Sequence, residues 1–158
     1  MHPDKHMPEQ ILELIPQQSP FRFVDEILEV DEDRIVGTYR FKEDEFFYPG
    51  HFPGNPVTPG VILVETMAQT GAVGHGIFLM MQKGMPMEEI QKQVTLFSLA
   101  DEIEFFTMVP PGTRVMVTGE KVFYRRGSLR SNVSMTLEDG RPVCRGILTG
   151  TGVRFNEK

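Results

Sequence analysis

Apolar and polar positions alternate with different periods along the chain, and each change of period marks an element. Within Glu9 to Ile15, residues Ile11, Leu12, Leu14 and Ile15 crowd into a turn or two before Pro16, predicting a short amphipathic helix inside an N-terminal segment of residues 1–18. From Phe21 to Val30 the chain is rich in phenylalanine, valine and isoleucine; Asp31-Glu32-Asp33 breaks the run and Arg34 to Phe41 alternates again. This pattern predicts a β-hairpin, with Gly37 as a candidate bulge. Glu43 to Thr58 holds Pro49, Gly50, Pro53, Gly54 and Pro56, which leave no room for helix or ladder, so an ordered loop is expected.

A central helix over residues 58–82 follows, with Thr58 placed to cap its first amides and Pro59 at the first helical position, where no donor is lost. It runs through Val61, Ile62, Leu63, Val64, Met67, Ala68, Ala72 and Val73 to about Gln82, apolar around nearly its whole circumference. At 1.5 Å per residue this is about 35 Å of helix, mostly inside something. Gly71, Gly74 and Gly76 each cost about 1 kcal/mol against alanine in a helix interior, so a second backbone is expected to pass close by.

Beyond a connector, Lys83 to Gln91, residues 94–155 read as four strands: Val94 to Met108, Arg114 to Tyr124, Leu129 to Leu137 and Pro142 to Phe155. Pro110-Pro111-Gly112, Arg126-Gly127-Ser128 and Glu138-Asp139-Gly140 mark the turns, which suggests an antiparallel meander. The methionines at 80, 81, 85 and 87 fit either gap-filling near a helix end or an adaptable binding surface. The whole reads as one α+β domain over 1–158, a curved antiparallel sheet wrapped around a long helix.

Charge narrows the partners. A net charge of -6 and a pI near 5.2 argue against nucleic acid and anionic membrane surfaces. Met1 to Gln10 is polar, with Pro3 and Pro8, and lacks the apolar centre of a signal peptide. The longest apolar run is interrupted by Glu65, Gln69 and His75, so no membrane insertion is expected and the cytoplasm is the expected location. Cys144, the single cysteine, has no disulfide partner and reads as a buried inert thiol beside Pro142 and Val143.

The candidate chemistry lies where the loop meets the helix. Glu65 sits in the most apolar stretch of the chain, where an isolated carboxylate costs several kcal/mol unless paired or protonated. Apolar surroundings raise a carboxyl pKa, as a general acid at neutral pH requires. A helix facet reaching solvent, or a pair with an arginine, is the alternative. His51 lies in Gly50-His51-Phe52-Pro53-Gly54, as a base or as a hydrogen-bonded loop residue. Gly60 falls in the first helical turn, where free amides and the dipole favour negative charge and no side chain blocks the backbone. A base, a raised acid and an oxyanion site are the parts needed to eliminate water from a β-hydroxy thioester.

The run His51-Phe52-Pro53-Gly54-Asn55-Pro56-Val57-Thr58-Pro59-Gly60-Val61, followed by Glu65-Thr66-Met67-Ala68-Gln69, resembles the signature of the β-hydroxyacyl-acyl carrier protein dehydratases. Weaker similarity covers Pro20-Phe21, Val24-Asp25, Pro111-Gly112 and Arg125-Arg126-Gly127. The resemblance implies a hotdog fold, homodimers with active sites shared between protomers, hexamers in many members, and no metal or cofactor. It makes His51 the base, Glu65 the acid and Gly60 the amide that polarises the thioester carbonyl. Val57 would orient the His51 ring through its backbone carbonyl, and Gln69 would position the Glu65 carboxyl. Glutamate rather than aspartate at the acid position implies dehydration without double-bond isomerisation.

The implied substrate is a (3R)-hydroxyacyl chain on acyl carrier protein, dehydrated to the trans-2-enoyl thioester in fatty acid or related acyl-chain synthesis. The chain departs from the family's pattern in two places: Ser19 stands where the family usually has an aromatic residue before Pro20, and Asp101 to Thr107 is acidic and apolar where relatives commonly carry basic residues. An acidic carrier would be repelled there, leaving Arg125, Arg126 and Arg130 as a basic patch or as a solvated strand-turn. The rival readings are a hotdog thioesterase, in which Glu65 activates water, and a non-catalytic acyl-binding protein.

Overall fold

The computed structural model describes residues 6–154. The expected strand end at Phe155, and the first five residues of the N-terminal segment, lie outside the described residues. The elements are α1 (Met7–Leu14), β1 (Glu26–Val30), β2 (Arg34–Arg40), α2 (Gly60–Ala68), a π-helical segment (Gln69–Gly74), α3 (His75–Gln82), α4 (Met87–Gln91), β3 (Gln93–Phe105), β4 (Arg114–Arg125), β5 (Ser128–Leu137) and β6 (Pro142–Arg154). The connector Lys83 to Gln91 contains the short α4, anchored by the buried Ile90.

The central helix is continuous from Gly60 to Gln82 but changes pitch in the middle, where the glycines fall. A Cβ on Gly71 would stand 2.8 Å from a Val133 methyl, and one on Gly119 of β4 would stand 3.0 Å from the Gly71 Cα. The second backbone implied by the glycines is therefore β4, pressed against the wide turn at Gly71. Gly74 is also enclosed, with Ile35 and Ile11 within 4 Å of an added Cβ, whereas Gly76 faces open space and no backbone passes it.

Six strands form one antiparallel sheet in the order β1-β2-β4-β5-β6-β3. The expected meander holds for β4, β5 and β6, but β3 pairs with β6 rather than β4. The reason is that β2 already occupies the free edge of β4, from Arg34 opposite Glu120 to Arg40 opposite Arg114, so β3 is left the far edge of the sheet. The bulge expected at Gly37 lies across from it, in β1 between Ile27 and Glu29. Gly37 instead makes room for Thr70, whose Oγ1 would be 2.8 Å from an added Cβ.

The sheet curls around the helix and buries it on two apolar clusters. Phe23, Tyr39, Phe41, Met67 and Met135 pack about α2; Ile11, Ile35, Ile77, Phe78 and Leu129 pack about α3. Cys144 is buried in the first cluster, and burial pushes its thiol up to about 11, as expected of an inert cysteine. No helix among the described residues is long and apolar enough to cross a membrane.

Candidate active site

The Pro/Gly loop is held by its own backbone. His51 N–H donates to the Tyr48 carbonyl at 3.2 Å, Val57 N–H donates to the His51 carbonyl at 2.8 Å, and the His51–Phe52 peptide bond is cis. The His51 ring stacks on Phe52 with centroids 4.1 Å apart. Its Nδ1 lies 2.8 Å from the Val57 carbonyl oxygen. A carbonyl can only accept, so Nδ1 carries the hydrogen and, in the neutral ring, Nε2 is left with a free lone pair.

The loop joins the helix through a hydroxyl relay that replaces the expected cap. Thr58 makes no capping bond; its Oγ1 donates to the Val109 carbonyl at 2.7 Å and accepts from Tyr48 Oη at 2.7 Å. Pro59 takes the cap position instead, and Gly60 is the first helical residue, whose amide has no acceptor within the helix. The room left by the missing Gly60 side chain is filled on one side by the ring of Phe105, 3.1 Å from where a Cβ would stand.

Glu65 is half-buried one turn further on. Burial pushes its pKa above the ordinary carboxyl value, and the hydrogen bond from Gln69 opposes this to a smaller extent. No ion pair among the described residues involves Glu65, so the alternative of an arginine partner is not what the chain adopts. Its carboxyl borders a cavity of about 170 Å³ that it shares with Ala68, Ala72, Thr95 and Phe97.

Gln69 is fully buried and its amide is saturated. Nε2 donates to Glu65 Oε1 at 3.0 Å and to the Phe21 carbonyl at 2.8 Å, while Oε1 accepts from Phe23 N–H at 2.7 Å. The Phe21 and Phe23 backbone is thus part of the site's support, which the sequence reading did not foresee. Phe21 and Phe23 lie 48 and 46 positions from Gln69, so no local spacing points to this contact.

Within one chain the fold joins His51 to Val57 and Glu65 to Gln69, and no hydrogen bond among the described residues links the two pairs. The edge strand β3 adjoining the Glu65 cavity exposes an apolar row of Leu96, Phe97, Leu99 and Phe105, and Val61 of α2 is exposed as well. No group of side chains among the described residues could hold a metal ion.

Comparison with known proteins places this architecture. Residues 15–146 match the FabA-like domain. The chain is 39% identical over 141 residues to the 3-hydroxyacyl-[acyl-carrier-protein] dehydratase FabZ of Caldicellulosiruptor bescii, covering 89% of this chain and 94% of that protein. It is 37% identical to the FabZ of Bacillus thuringiensis, covering 89% and 92%. Among solved structures, the dehydratase heterocomplex ApeI:P from Xenorhabdus doucetiae superposes with a TM-score of 0.74 at 13% identity, over 95% of this chain and 92% of that one. A hypothetical thioesterase from Streptococcus pneumoniae shares the fold at a TM-score of 0.54 and 16% identity, over 84% and 88%. With a hotdog fold, a family match over most of its length and this degree of identity to the FabZ proteins, the chain belongs to the FabA-like family of 3-hydroxyacyl-[acyl-carrier-protein] dehydratases.

Proposed function

We propose that the protein dehydrates a (3R)-hydroxyacyl thioester, carried on acyl carrier protein, to the trans-2-enoyl thioester in cytoplasmic acyl-chain synthesis. The observation that carries this reading is Glu65: a half-buried carboxyl beside a mostly apolar cavity, in no ion pair among the described residues, held by Gln69 and with its pKa raised by burial. Such a group is a proton donor in waiting.

The residues divide the reaction between them. The Nε2 lone pair of His51 takes the α proton, and the electron pair left behind moves onto the thioester oxygen. The Gly60 amide, at the positive end of the helix, faces that oxygen and offsets its charge. As the enolate collapses, the bond from the β carbon to its hydroxyl breaks, and Glu65 delivers the proton that lets the group leave as water. The proton on His51 then returns to Glu65 through solvent, which restores both groups.

Because the two catalytic pairs have no bond to one another within a chain, and the row on β3 beside the Glu65 cavity is apolar and unpaired, the reading includes a homodimer. In it His51 of one protomer meets Glu65 of its partner. A higher assembly such as a hexamer is compatible with the same pairing.

The test is turnover of a crotonyl thioester, followed in the hydration direction. Loss of the enoyl absorbance without free thiol is expected. Release of thiol would replace the dehydratase with a thioesterase, and binding without turnover would replace it with an acyl-binding protein.

A further inference from the structure

The cavity beside Glu65 has a second polar wall. Of the side chains that line it, only those of Glu65, Thr95 and Gln17 carry polar atoms. Thr95 packs its methyl on Gly150, 2.6 Å from where a Cβ there would stand, and Glu65 has Gln69 as a donor. The Gln17 Oε1 is shut away from water and accepts no hydrogen bond from any described residue. A buried carbonyl oxygen without a donor is costly, and native proteins keep few of them. Beside a reacting carboxyl, a donor that arrives with the substrate accounts for it.

Gln17 stands in the short segment between α1 and Phe23, and that segment is pinned along its length. Ile15 and Phe23 are buried in the two apolar clusters. The Arg22 guanidinium donates to the Leu12 carbonyl of α1, Gln18 Nε2 donates to the Ile15 carbonyl at 3.2 Å, and Phe21 N–H donates to the Gln18 carbonyl at 2.8 Å. Gln69 completes the clasp, because the amide that donates to Glu65 Oε1 donates also to the Phe21 carbonyl. The carboxyl and the segment carrying Gln17 thus share one anchor. Only the end of the Gln17 side chain can turn, since its terminal torsion is soft and no bond holds the oxygen.

We infer that Gln17 holds the departing hydroxyl, its Oε1 accepting the hydrogen of the β-hydroxyl while Glu65 protonates the oxygen of that same group. This rests on the dehydratase reading. Within the acyl part of the substrate the β-hydroxyl is the one hydrogen-bond donor, so it is the group a carbonyl oxygen can select. With its own hydrogen bound to Gln17, the hydroxyl turns a lone pair toward Glu65. As the bond from the β carbon breaks, its electron pair stays on the oxygen, the proton of Glu65 joins it, and water leaves with one hydrogen still on Gln17. A hydroxyl that is being protonated is a stronger donor than a neutral one. The bond to Gln17 therefore tightens on the way to the transition state, which raises kcat as well as affinity.

The test compares the wild type with Gln17→Met, of similar length but without the oxygen, and Gln17→Asn, which withdraws the oxygen by one carbon. Two quantities are measured: kcat and KM for a 3-hydroxyoctanoyl thioester, and the inhibition constant of the octanoyl thioester, which lacks the hydroxyl. Each variant is expected to lower kcat/KM by roughly 10- to 100-fold, the worth of a hydrogen bond to a group gaining charge, with most of the loss in kcat. Inhibition by the octanoyl thioester should stay within about twofold. A folded variant, checked by thermal melting, with wild-type kcat/KM would overturn the assignment. So would an equal loss in kcat/KM and in octanoyl binding, which would make Gln17 a packing residue. Either result with an active wild type sinks the role of Gln17 alone, whereas a wild type that turns over no 3-hydroxyacyl thioester sinks the dehydratase reading and this inference with it.

Discussion

Gln69 donates to Glu65 Oε1 and leaves Glu65 Oε2 as the oxygen without a partner from this network. The same amide is anchored by Phe21 and Phe23, so the orientation of the carboxyl is fixed from outside the helix that carries it. A donor to the carboxyl stabilises its charged form, and its removal should raise the Glu65 pKa further. Gln69→Ala is expected to lower kcat by roughly 10- to 100-fold through misplacement. It should also move the alkaline limb of the kcat profile to higher pH. A uniform drop with no shift of the limb would reduce Gln69 to a packing role.

His51→Ala and Glu65→Ala should each cost roughly 10²- to 10⁴-fold in turnover, the range of a lost general base or acid. Their circular dichroism spectra should stay those of the wild type. Mixed and allowed to exchange subunits, the two inactive proteins should regain part of the activity in hybrid dimers that hold one intact site. Proven exchange with no recovery would show that each site is built from one chain.

Stability should depend on pH through two groups that burial shifts in opposite directions. Glu65 has a raised pKa in the fold, so its contribution is fully present below the ordinary value of 4.5 and is lost as pH rises through the raised one. His75 is fully buried, its Nε2 donating to the Asp31 carbonyl at 2.9 Å, and burial lowers its pKa. Its contribution is present above the ordinary 6.5 and is lost as pH falls through the lowered value. Urea unfolding from pH 4 to 8 should show the falling slope removed in Glu65→Gln and the rising one removed in His75→Gln. Identical pH profiles for wild type and both variants would contradict this.

The contact of Gly71 with Gly119 should be intolerant of a single methyl. Gly119→Ala would place its Cβ 3.0 Å from the Gly71 Cα and 3.2 Å from Ile35 Cγ2, with backbone on one side unable to yield. A loss of about 1–3 kcal/mol by denaturant titration is expected. Gly76→Ala, facing open space, should instead gain about 0.5–1 kcal/mol. The opposite order would mean that the helix and β4 do not approach as described.

The exposed apolar row on β3 should hold the dimer together. Leu99 is 43% exposed and Phe97 45% exposed in the single chain, and both would be covered by a partner. Leu99→Asp with Phe97→Asp is expected to give a monomer in sedimentation and to abolish turnover if the site is shared. A double variant that stays dimeric would move the interface elsewhere.

Much of this was legible in the residues, and the failures have physical reasons. The central helix announces itself because its apolar residues run unbroken from Val61 to Val64 and resume at Met67, and Glu65 stands out against them. The strands from Arg114 onward are bracketed by strong turn signals, so those of their ends that fall among the described residues agree within a residue, the expected end at Phe155 lying outside them. What local pattern cannot carry is pairing over long separations. Nothing in Val94 to Met108 says that its neighbour is β6 rather than β4, since that choice depends on β2 having filled the nearer edge. Thr58 satisfies every local rule for a cap, yet Tyr48 and Val109, brought in by the tertiary fold, claim its hydroxyl. The support for Gln69 came from residues more than forty positions away, beyond the reach of any spacing rule.

The wide turn at Gln69–Gly74 also fixes an angular phase. A π-bulge amounts to one extra residue in an α-helix, and one residue is a rotation of about 100°. Everything after Gly74 is therefore dialled round relative to Glu65, which decides that Ile77 and Phe78 pack into the core while a Cβ on Gly76 would meet open space. Excising a single residue there would leave a smoother helix of nearly the same length, with the two ends of the molecule out of step.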